Sequence, residues 1–246
     1  MNRTRIACVL GVLAVGAFCA TASASLLANG GFEQNAHWTQ DFPPWVNVPG
    51  QGGNKAESFV GGEHGLLIYP YEGNQHLGWV SGWDTTRHQA FMYQQFAQPA
   101  NTNLTITGAL AAYAGWGGWP QVAVGNYDCQ VGLYYDRLGR TNILPLLSWA
   151  GDHTYATPID PDVVMIGLVS NGDTYADVTA PGGDGWIEVA GVANSGSASP
   201  TGTIFVLNIH KWGFFNGGWA DAISVVPEPA SALLLLLGAM GLRRRA

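Results

Sequence analysis

The segment Leu104-Thr105-Ile106-Thr107-Gly108-Ala109-Leu110 carries the clearest structural signal in this chain of 246 residues. Successive side chains of an extended strand point to opposite faces, so Leu104, Ile106 and Leu110 share one face. This period of two predicts a half-buried β-strand. The same alternation recurs at residues 129–135 and 203–210. Together these three segments favour an all-β chain.

Shorter strand candidates are separated by turns rich in glycine, proline and asparagine. The candidate strands are 66–69, 76–80, 90–96, 121–124, 186–192 and 223–226, and the turns are 49–54, 115–120, 181–185 and 194–202. Residues 158–168 fit either a short helix or a strand, and no other segment shows sustained helical periodicity. Many short strands in about 200 residues predict a single β-sandwich domain over residues 25–226.

The N-terminal residues have the pattern of a secretory signal peptide. Arg3 and Arg5 precede an uninterrupted apolar run at 6–20, and small residues at 22 and 24 complete an A-x-A cleavage pattern. This order predicts a signal peptide at residues 1–24 that is removed after Ala24, and therefore an exported protein. The alternative is an uncut membrane anchor, although the apolar run is short for a membrane span.

The C-terminal residues 227–246 form a second distinct segment. Pro227-Glu228-Pro229 is followed by an apolar stretch at 230–242 and by Arg243, Arg244 and Arg245. As a helix this stretch would extend about 20 Å, which is shorter than the bilayer hydrocarbon core of about 30 Å. The arginines can reach the headgroups on the cytoplasmic side. We therefore expect a short hydrophobic helix with transient membrane contact.

In the order of these features, the tail resembles the PEP-CTERM sorting signal. The resemblance covers about the last twenty residues of the chain. It implies a Gram-negative bacterial host that makes exopolysaccharide, and an exosortase-like membrane enzyme that processes the tail. It also implies a location at the cell envelope, at the outer surface or outside the cell. The alternative is an apolar tail that has this order by chance.

Charge and cysteine content limit the possible functions. Residues 25–226 contain five basic residues against sixteen acidic residues, which gives a net charge near −11. Nucleic-acid binding needs a basic patch, so we expect no nucleic-acid partner. Cys129 is the only cysteine in this range, which excludes an internal disulfide. Its alternation with Val131 and Leu133 predicts a buried strand position.

A second resemblance extends over nearly the whole predicted domain. The segments that carry it are 29–33, 71–77, the glutamines at 94–95, the strand at 104–110, 185–189 and 218–225. In this order they are similar to the galactose-binding-like jelly roll, the fold of many carbohydrate-binding modules. The resemblance implies a jelly-roll sandwich and does not by itself assign a ligand.

The same resemblance implies one structural calcium ion. In that family, a glutamate after the opening segment and an aspartate before the last strand hold the ion, and these positions correspond to Glu33 and Asp221. A frequent second aspartate is replaced here by Ala220 or Ala222, so backbone carbonyls would have to complete the six to eight oxygen ligands. The alternative is an exposed glutamate and an aspartate in a turn.

Tryptophans in glycine-rich segments are candidates for sugar binding, because aromatic rings stack on the apolar faces of sugars. Trp116-Gly117-Gly118-Trp119 is the best candidate platform, since the glycines leave room around the rings. We assign Trp186 and Trp219 to packing. The alternative for Trp116 and Trp119 is also packing, at the base of a loop.

Catalytic motifs are missing from the sequence: we find no G-x-S-x-G, no H-E-x-x-H and no phosphate-binding loop. We therefore expect a non-catalytic protein of the cell surface or extracellular matrix, processed by an exosortase-type system and binding exopolysaccharide. The alternatives are a structural or adhesive protein without a sugar site and, as the weakest, a secreted glycan hydrolase.

Overall fold

The computed structural model describes ten stretches of the chain. They are residues 24–36, 39, 41–51, 57–61, 69–80, 87–114, 128–149, 156–170, 185–211 and 216–228. The predicted strands at 66–69 and 121–124 lie largely or wholly outside these stretches, as do most of the predicted signal peptide and most of the C-terminal residues 227–246. Within the described stretches, no helix is long and apolar enough to span a bilayer.

Strands dominate the described residues. In chain order they are β1 (Val46–Gln51), β2 (Glu57–Gly61), β3 (His76–Val80), β4 (Arg87–Ala97), β5 (Asn103–Ala114), β6 (Asp128–Asp136), β7 (Leu147–Trp149), β8 (Ala156–Pro158), β9 (Val163–Ser170), β10 (Ile187–Asn194), β11 (Thr201–Lys211) and β12 (Asn216–Pro227). The 3-10 turn Leu144–Leu146 precedes β7.

Ten of these strands form two five-stranded antiparallel sheets. Sheet 1 has the order β1-β4-β11-β6-β9, and sheet 2 has the order β10-β5-β12-β3-β2. Alternate residues of both sheets fill one shared core, including Met92 and Val206 from sheet 1 and Leu77, Ile106 and Val225 from sheet 2. The predicted all-β class and the two-layer β-sandwich are therefore confirmed.

The central strand of sheet 1 differs from the sequence prediction. Alternation predicted that β11 is half-buried, with Phe205, Leu207 and Ile209 on one face. That face is buried, but the face with Ile204 and Val206 is buried as well. The first face lies under Ile143, Leu147 and Ala156, from a segment that crosses the outside of sheet 1. This segment contains the 3-10 turn, β7 and β8, and it gives sheet 1 a second, smaller core.

Two further segments, 49–54 and 158–168, can be compared with the sequence analysis. Residues 49–54 were predicted as a turn, yet β1 continues to Gln51. A proline is compatible with an edge strand, and β1 is an edge strand whose register with β4 shifts between Val48 and Gln51. The segment 158–168, left open between helix and strand, contains most of strand β9.

Candidate functional site

The N-terminal segment lies along the last strand, β12. The amide of Leu26 donates to the carbonyl of Val225 over 2.7 Å, and the amide of Val225 donates to Ser25 Oγ over 3.1 Å. The carbonyl of Gly30 accepts the amide of Ile223 over 3.0 Å. A Cβ at Gly30 would collide with the carbonyl oxygen of Ile223. Only glycine permits this close approach.

A tight turn then orients Glu33. Asn29 and Phe32 both adopt positive φ, at 54° and 58°, and the Asn29 Oδ1 accepts the amide of Gln34 over 3.0 Å. The Phe32 ring is fully buried and packs on Trp45 with ring centroids 5.4 Å apart. Because Phe32 points into the core, the next residue, Glu33, turns outward beside the loop at residues 71–75.

Glu33 holds that loop by backbone hydrogen bonds. Its Oε1 accepts the amides of Asn74 and Gln75 over 2.7 and 2.8 Å. Gly73 lies directly beneath the carboxylate with φ +64°, and a Cβ there would collide with Glu33 Oε1. The loop therefore needs glycine both for its left-handed backbone and for its contact with Glu33.

Asp221 holds the same loop from the other side. It precedes a register shift in the pairing of β12 with β5, and Ala222 has φ 51°. Asp221 Oδ2 accepts the amide of Glu72 over 3.1 Å, and Oδ1 accepts the amide of Ala222 over 2.7 Å. The side chain is fully buried. This burial, with a smaller contribution from the Glu72 carboxylate, raises the pKa of Asp221 to about 8.

Glu72 is the residue of this site that sequence reasoning did not assign. A Cβ built at Gly31 would lie 3.6 Å from Glu72 Oε1 and 3.9 Å from Asp221 Oδ1, with the Cγ of Glu33 also at 3.9 Å. The three acidic side chains thus surround Gly31. Glu72 lies inside the segment 71–77 that carried the family resemblance, directly before the left-handed glycine, and that position was the available signal.

Within the described stretches, no group of three His, Cys, Asp or Glu side chains is placed so that it could hold a metal ion. Glu33 and Asp221 lie at the same loop, but both of them mainly bind backbone amides. The ion pairs formed by the described residues join other acidic side chains to arginines and do not include Asp221.

An aromatic cluster lies beside this site on the outer face of sheet 2. Trp186 and Trp219 are buried, which confirms their assignment to packing. Tyr71 and His76 pack edge-on against Trp186, with ring centroids at 6.3 and 5.9 Å. The Tyr71 hydroxyl donates to the carboxylate of Glu188, and this hydrogen bond raises the pKa of Tyr71.

A second partly exposed tyrosine lies on the outer face of sheet 1. Tyr93 packs against Phe91 and Phe205 with ring centroids at 6.5 and 5.9 Å. Val46 pairs directly with Tyr93 at the sheet edge and is 44% exposed. Gln95 lies next along the same face, exposed, with its amide donating to the carbonyl of Gly139 over 2.6 Å. This face combines an aromatic ring, apolar surface and an amide.

The remaining predicted site residues fall partly outside the described stretches. Trp116 and Trp119 lie there, in the connection between β5 and β6, and so do Pro229 and the arginines at 243–245. Pro227 is the last residue of β12 and pairs with Leu104. The amide of Glu228 donates to the carbonyl of Asn103 over 2.8 Å, and the Asn103 side chain donates to Glu228 Oε2 over 3.1 Å. Ala24 is the first described residue and is exposed.

Comparison with known proteins gives no family assignment. No protein-family model matches the chain. No curated protein matches it either. Solved structures with a similar backbone include the carbohydrate-binding module TmCBM61 in complex with β-1,4-galactotriose, with 14% identity, 84% of this chain and 100% of that chain covered, and a TM-score of 0.45.

Two further solved structures have different activities or roles. An apo-form cyclase from Fischerella sp. has 16% identity and a TM-score of 0.44, with 83% of this chain and 96% of that chain covered. The K1 cleaved adhesin domain of Lys-gingipain from Porphyromonas gingivalis W83 has 10% identity and a TM-score of 0.42, with 80% and 96% covered. At such low identity and TM-scores, these similarities assign neither ligand nor activity to this chain.

Proposed function

We propose that this chain is an exported, non-catalytic protein of the cell surface or extracellular matrix, whose jelly-roll sandwich binds exopolysaccharide. The observation that best supports sugar binding is the Tyr93 face of sheet 1. There a partly exposed ring, held by two buried aromatic rings, lies beside exposed apolar surface and an exposed amide. Sugars stack their C–H faces on such rings and give their hydroxyls to amides.

Polysaccharide binding can be tested with exopolysaccharide from the native host, using sedimentation of the protein with the polymer. Tyr93→Leu keeps apolar volume against Phe91 and Phe205 but removes the aromatic face, so we expect binding to weaken on the order of tenfold. Tyr71→Leu is the matched control, because Tyr71 lies in the loop beside the outer face of sheet 2, away from Tyr93. Equal binding by the Tyr93 variant and the wild type would exclude this face.

The sequence-based candidates Trp116 and Trp119 belong in the same assay. A double variant, Trp116→Ala with Trp119→Ala, that loses binding while Tyr93→Leu retains it would place the sugar site at the connection between β5 and β6. If no variant and not even the wild type binds, the structural or adhesive alternative becomes the better description of the protein.

We further propose that a calcium ion binds beside Asp221, with Glu72 and Glu33 nearby and backbone carbonyls as additional oxygen ligands. The residues fit this ion in their chemistry, since carboxylates and carbonyls are the ligands that calcium prefers. The buried Asp221 next to Glu72 is the supporting observation, because a cation would compensate two neighbouring acidic groups. The ion would stabilise the loop at 71–75 and have no catalytic task.

Processing of both ends completes the proposal. A signal peptidase would cut after Ala24, and an exosortase-like enzyme would cut near Pro227-Glu228-Pro229. Intact mass measurement on protein from the native host tests this, in culture medium and in cell envelope separately. A mass that starts at Ser25 and ends near Pro227 supports double processing. A mass that still contains Arg243 to Arg245 would mean that the tail is retained.

A further inference from the structure

The first and last residues of the domain lie at the same end of strand β12. The amide of Leu26 donates to the carbonyl of Val225 over 2.7 Å, and the amide of Ile223 donates to the carbonyl of Gly30 over 3.0 Å. The N-terminal segment therefore runs antiparallel to β12, with its beginning beside the end of the strand. Ser25 lies there as well, since its Oγ accepts the amide of Val225 over 3.1 Å.

Glu228, which directly follows β12, is fixed at this end by hydrogen bonds. Its amide donates to the carbonyl of Asn103 over 2.8 Å, and its Oε2 accepts the side-chain amide of Asn103 over 3.1 Å. The Asn103 Oδ1 accepts the side-chain amide of Asn194 over 2.9 Å. Asn103 begins β5 and Asn194 ends β10. The point at which the chain leaves β12 is therefore held against two other strands of sheet 2.

Two exposed loops surround this point. Residues 98–102 join β4 to β5, and residues 195–200 join β10 to β11. The loops contact each other, because the amide of Asn101 donates to the carbonyl of Gly196 over 2.7 Å. We call these two loops, together with Glu228, the exit end of the sandwich.

The connection from the exit end to the predicted membrane-contacting stretch is very short. The apolar stretch 230–242 begins two residues after Glu228, and two residues span at most about 7 Å. The headgroup region of one leaflet is about 5–8 Å thick. On such a short connection the domain cannot stand clear of the headgroups. The surface around the attachment point, which is the exit end, must then meet the membrane.

The charge of the exit end is compatible with a phospholipid surface. Residues 25–226 have a net charge near −11, yet neither loop of the exit end contains a charged side chain. Anionic lipids repel acidic surfaces, so an uncharged end is the favourable one to approach them. The nearby Arg137, whose Cδ lies 3.6 Å from a Cβ built at Gly196, pairs with Asp162 over 2.9 Å.

We propose that the exit end contacts the phospholipid headgroups for as long as the tail remains attached. This inference rests on the export and the membrane-contacting tail proposed above. Both predicted terminal segments, 1–24 and 227–246, then join the domain on its membrane side. The outer faces of the two sheets point sideways, so the Tyr93 face stays accessible to a polysaccharide before the tail is cut.

Fluorescence quenching of the full chain in vesicles of phosphatidylethanolamine and phosphatidylglycerol tests the proposal. The three native cysteines are replaced by alanine, and one fluorophore is attached through Ser197→Cys at the exit end or through Asn74→Cys. Both replaced side chains are exposed. Asn74 is the matched control, because its loop is bonded to Asp221, seven residues before Glu228 and therefore about 20 Å along β12.

A lipid with a nitroxide on its headgroup serves as the quencher. We expect the fluorophore at Ser197 to be quenched several-fold more strongly than the one at Asn74. Ala100→Cys provides a second position at the exit end and should behave like Ser197→Cys. Circular dichroism checks that each labelled chain is folded.

The possible failures can be told apart. A full chain that does not bind the vesicles overturns the membrane-contacting tail and this proposal with it. A chain that binds but shows equal quenching at the two ends, or stronger quenching at Asn74, overturns this proposal alone. Sugar binding and the intact mass are measured separately, so they do not depend on this orientation.

Discussion

Replacing Asp221 with asparagine should change how the stability of the protein depends on pH. An aspartate in an unfolded chain has a pKa near 3.8, whereas burial raises the pKa of Asp221 in the folded protein to about 8. Between these two values the folded state holds a proton that the unfolded state has released. The free energy of unfolding must therefore fall as pH rises through this window and level off above pH 8.

The size of the effect follows from the pKa difference. Each pKa unit corresponds to about 1.4 kcal/mol. Raising the pH from 5 to 8 should therefore lower the free energy of unfolding by about 4 kcal/mol. The side chain is fully buried, so screening by solvent does not reduce this value substantially. For a domain of about 200 residues, 1 kcal/mol shifts Tm by about 2–4 °C. The expected fall in Tm is therefore about 8–16 °C.

The assay is thermal unfolding by circular dichroism, at pH 5 to 8, with EDTA or with millimolar calcium. Asparagine carries no titrating proton, so the pH dependence of the variant should be shallower than that of the wild type by this amount. At pH 5 the Tm of the variant should be lower than that of the wild type. Two backbone N–H groups donate to the two oxygens of Asp221, and in the variant one of them would face the side-chain NH2 group of asparagine, which cannot accept.

Adding calcium tests the calcium proposal separately from the argument about the buried carboxylate. A cation that binds the ionised carboxylate stabilises the folded state most at pH 8, so the wild-type Tm should rise there and the pH dependence should flatten. Parallel pH curves for the wild type and Asp221→Asn in EDTA would refute the buried-carboxylate argument. A difference in EDTA that calcium leaves unchanged would refute the calcium proposal alone.

Three further substitutions, together with one control variant, test other contacts of the sandwich, each by denaturant unfolding. Gly30→Ala should cost about 3 kcal/mol or more, because its Cβ collides with a carbonyl of β12, whereas Gly31→Ala, with its nearest neighbour at 3.6 Å, should cost little. Gln98→Ala should cost about 2–3 kcal/mol, because its amide serves two backbone carbonyls at 2.9 and 3.0 Å in different loops. Arg140→Gln should cost about 3 kcal/mol, because it leaves the fully buried carboxylate of Asp136 without its cation at 2.6 Å.

Much of the fold could be predicted from the sequence because the central strands have regular side-chain alternation. The segments 104–110, 129–135 and 203–210 all lie in long strands of the two sheets, and the predicted strand 76–80 coincides with β3. β1, β2, β7 and β8 were not predicted, and the segment that contains most of β9 was left open between helix and strand. β1 contains a proline, and β7 and β8 have only three residues each, too few to establish a period of two.

The candidate cation site was predictable in part. The resemblance placed Glu33 and Asp221 near each other, and both do contact the loop at 71–75. Glu72 was missed, because its approach to Gly31 depends on the left-handed turn at Gly73, and the glycine that follows it was the one sequence signal for this position. The raised pKa of Asp221 could not be predicted either, since it depends on burial beneath a loop that is distant in sequence.

The loop at 71–75 links the N-terminal segment of the domain to its last strand, β12. Three of its amides, those of Glu72, Asn74 and Gln75, donate to carboxylates that lie far away in sequence. One of these carboxylates follows the N-terminal segment and the other lies in the last strand. Because the N-terminal segment also pairs with β12 through Gly30, the first and last parts of the domain and this loop stabilise one another. Loss of either carboxylate should therefore destabilise all three segments together, and a bound cation should stabilise them together.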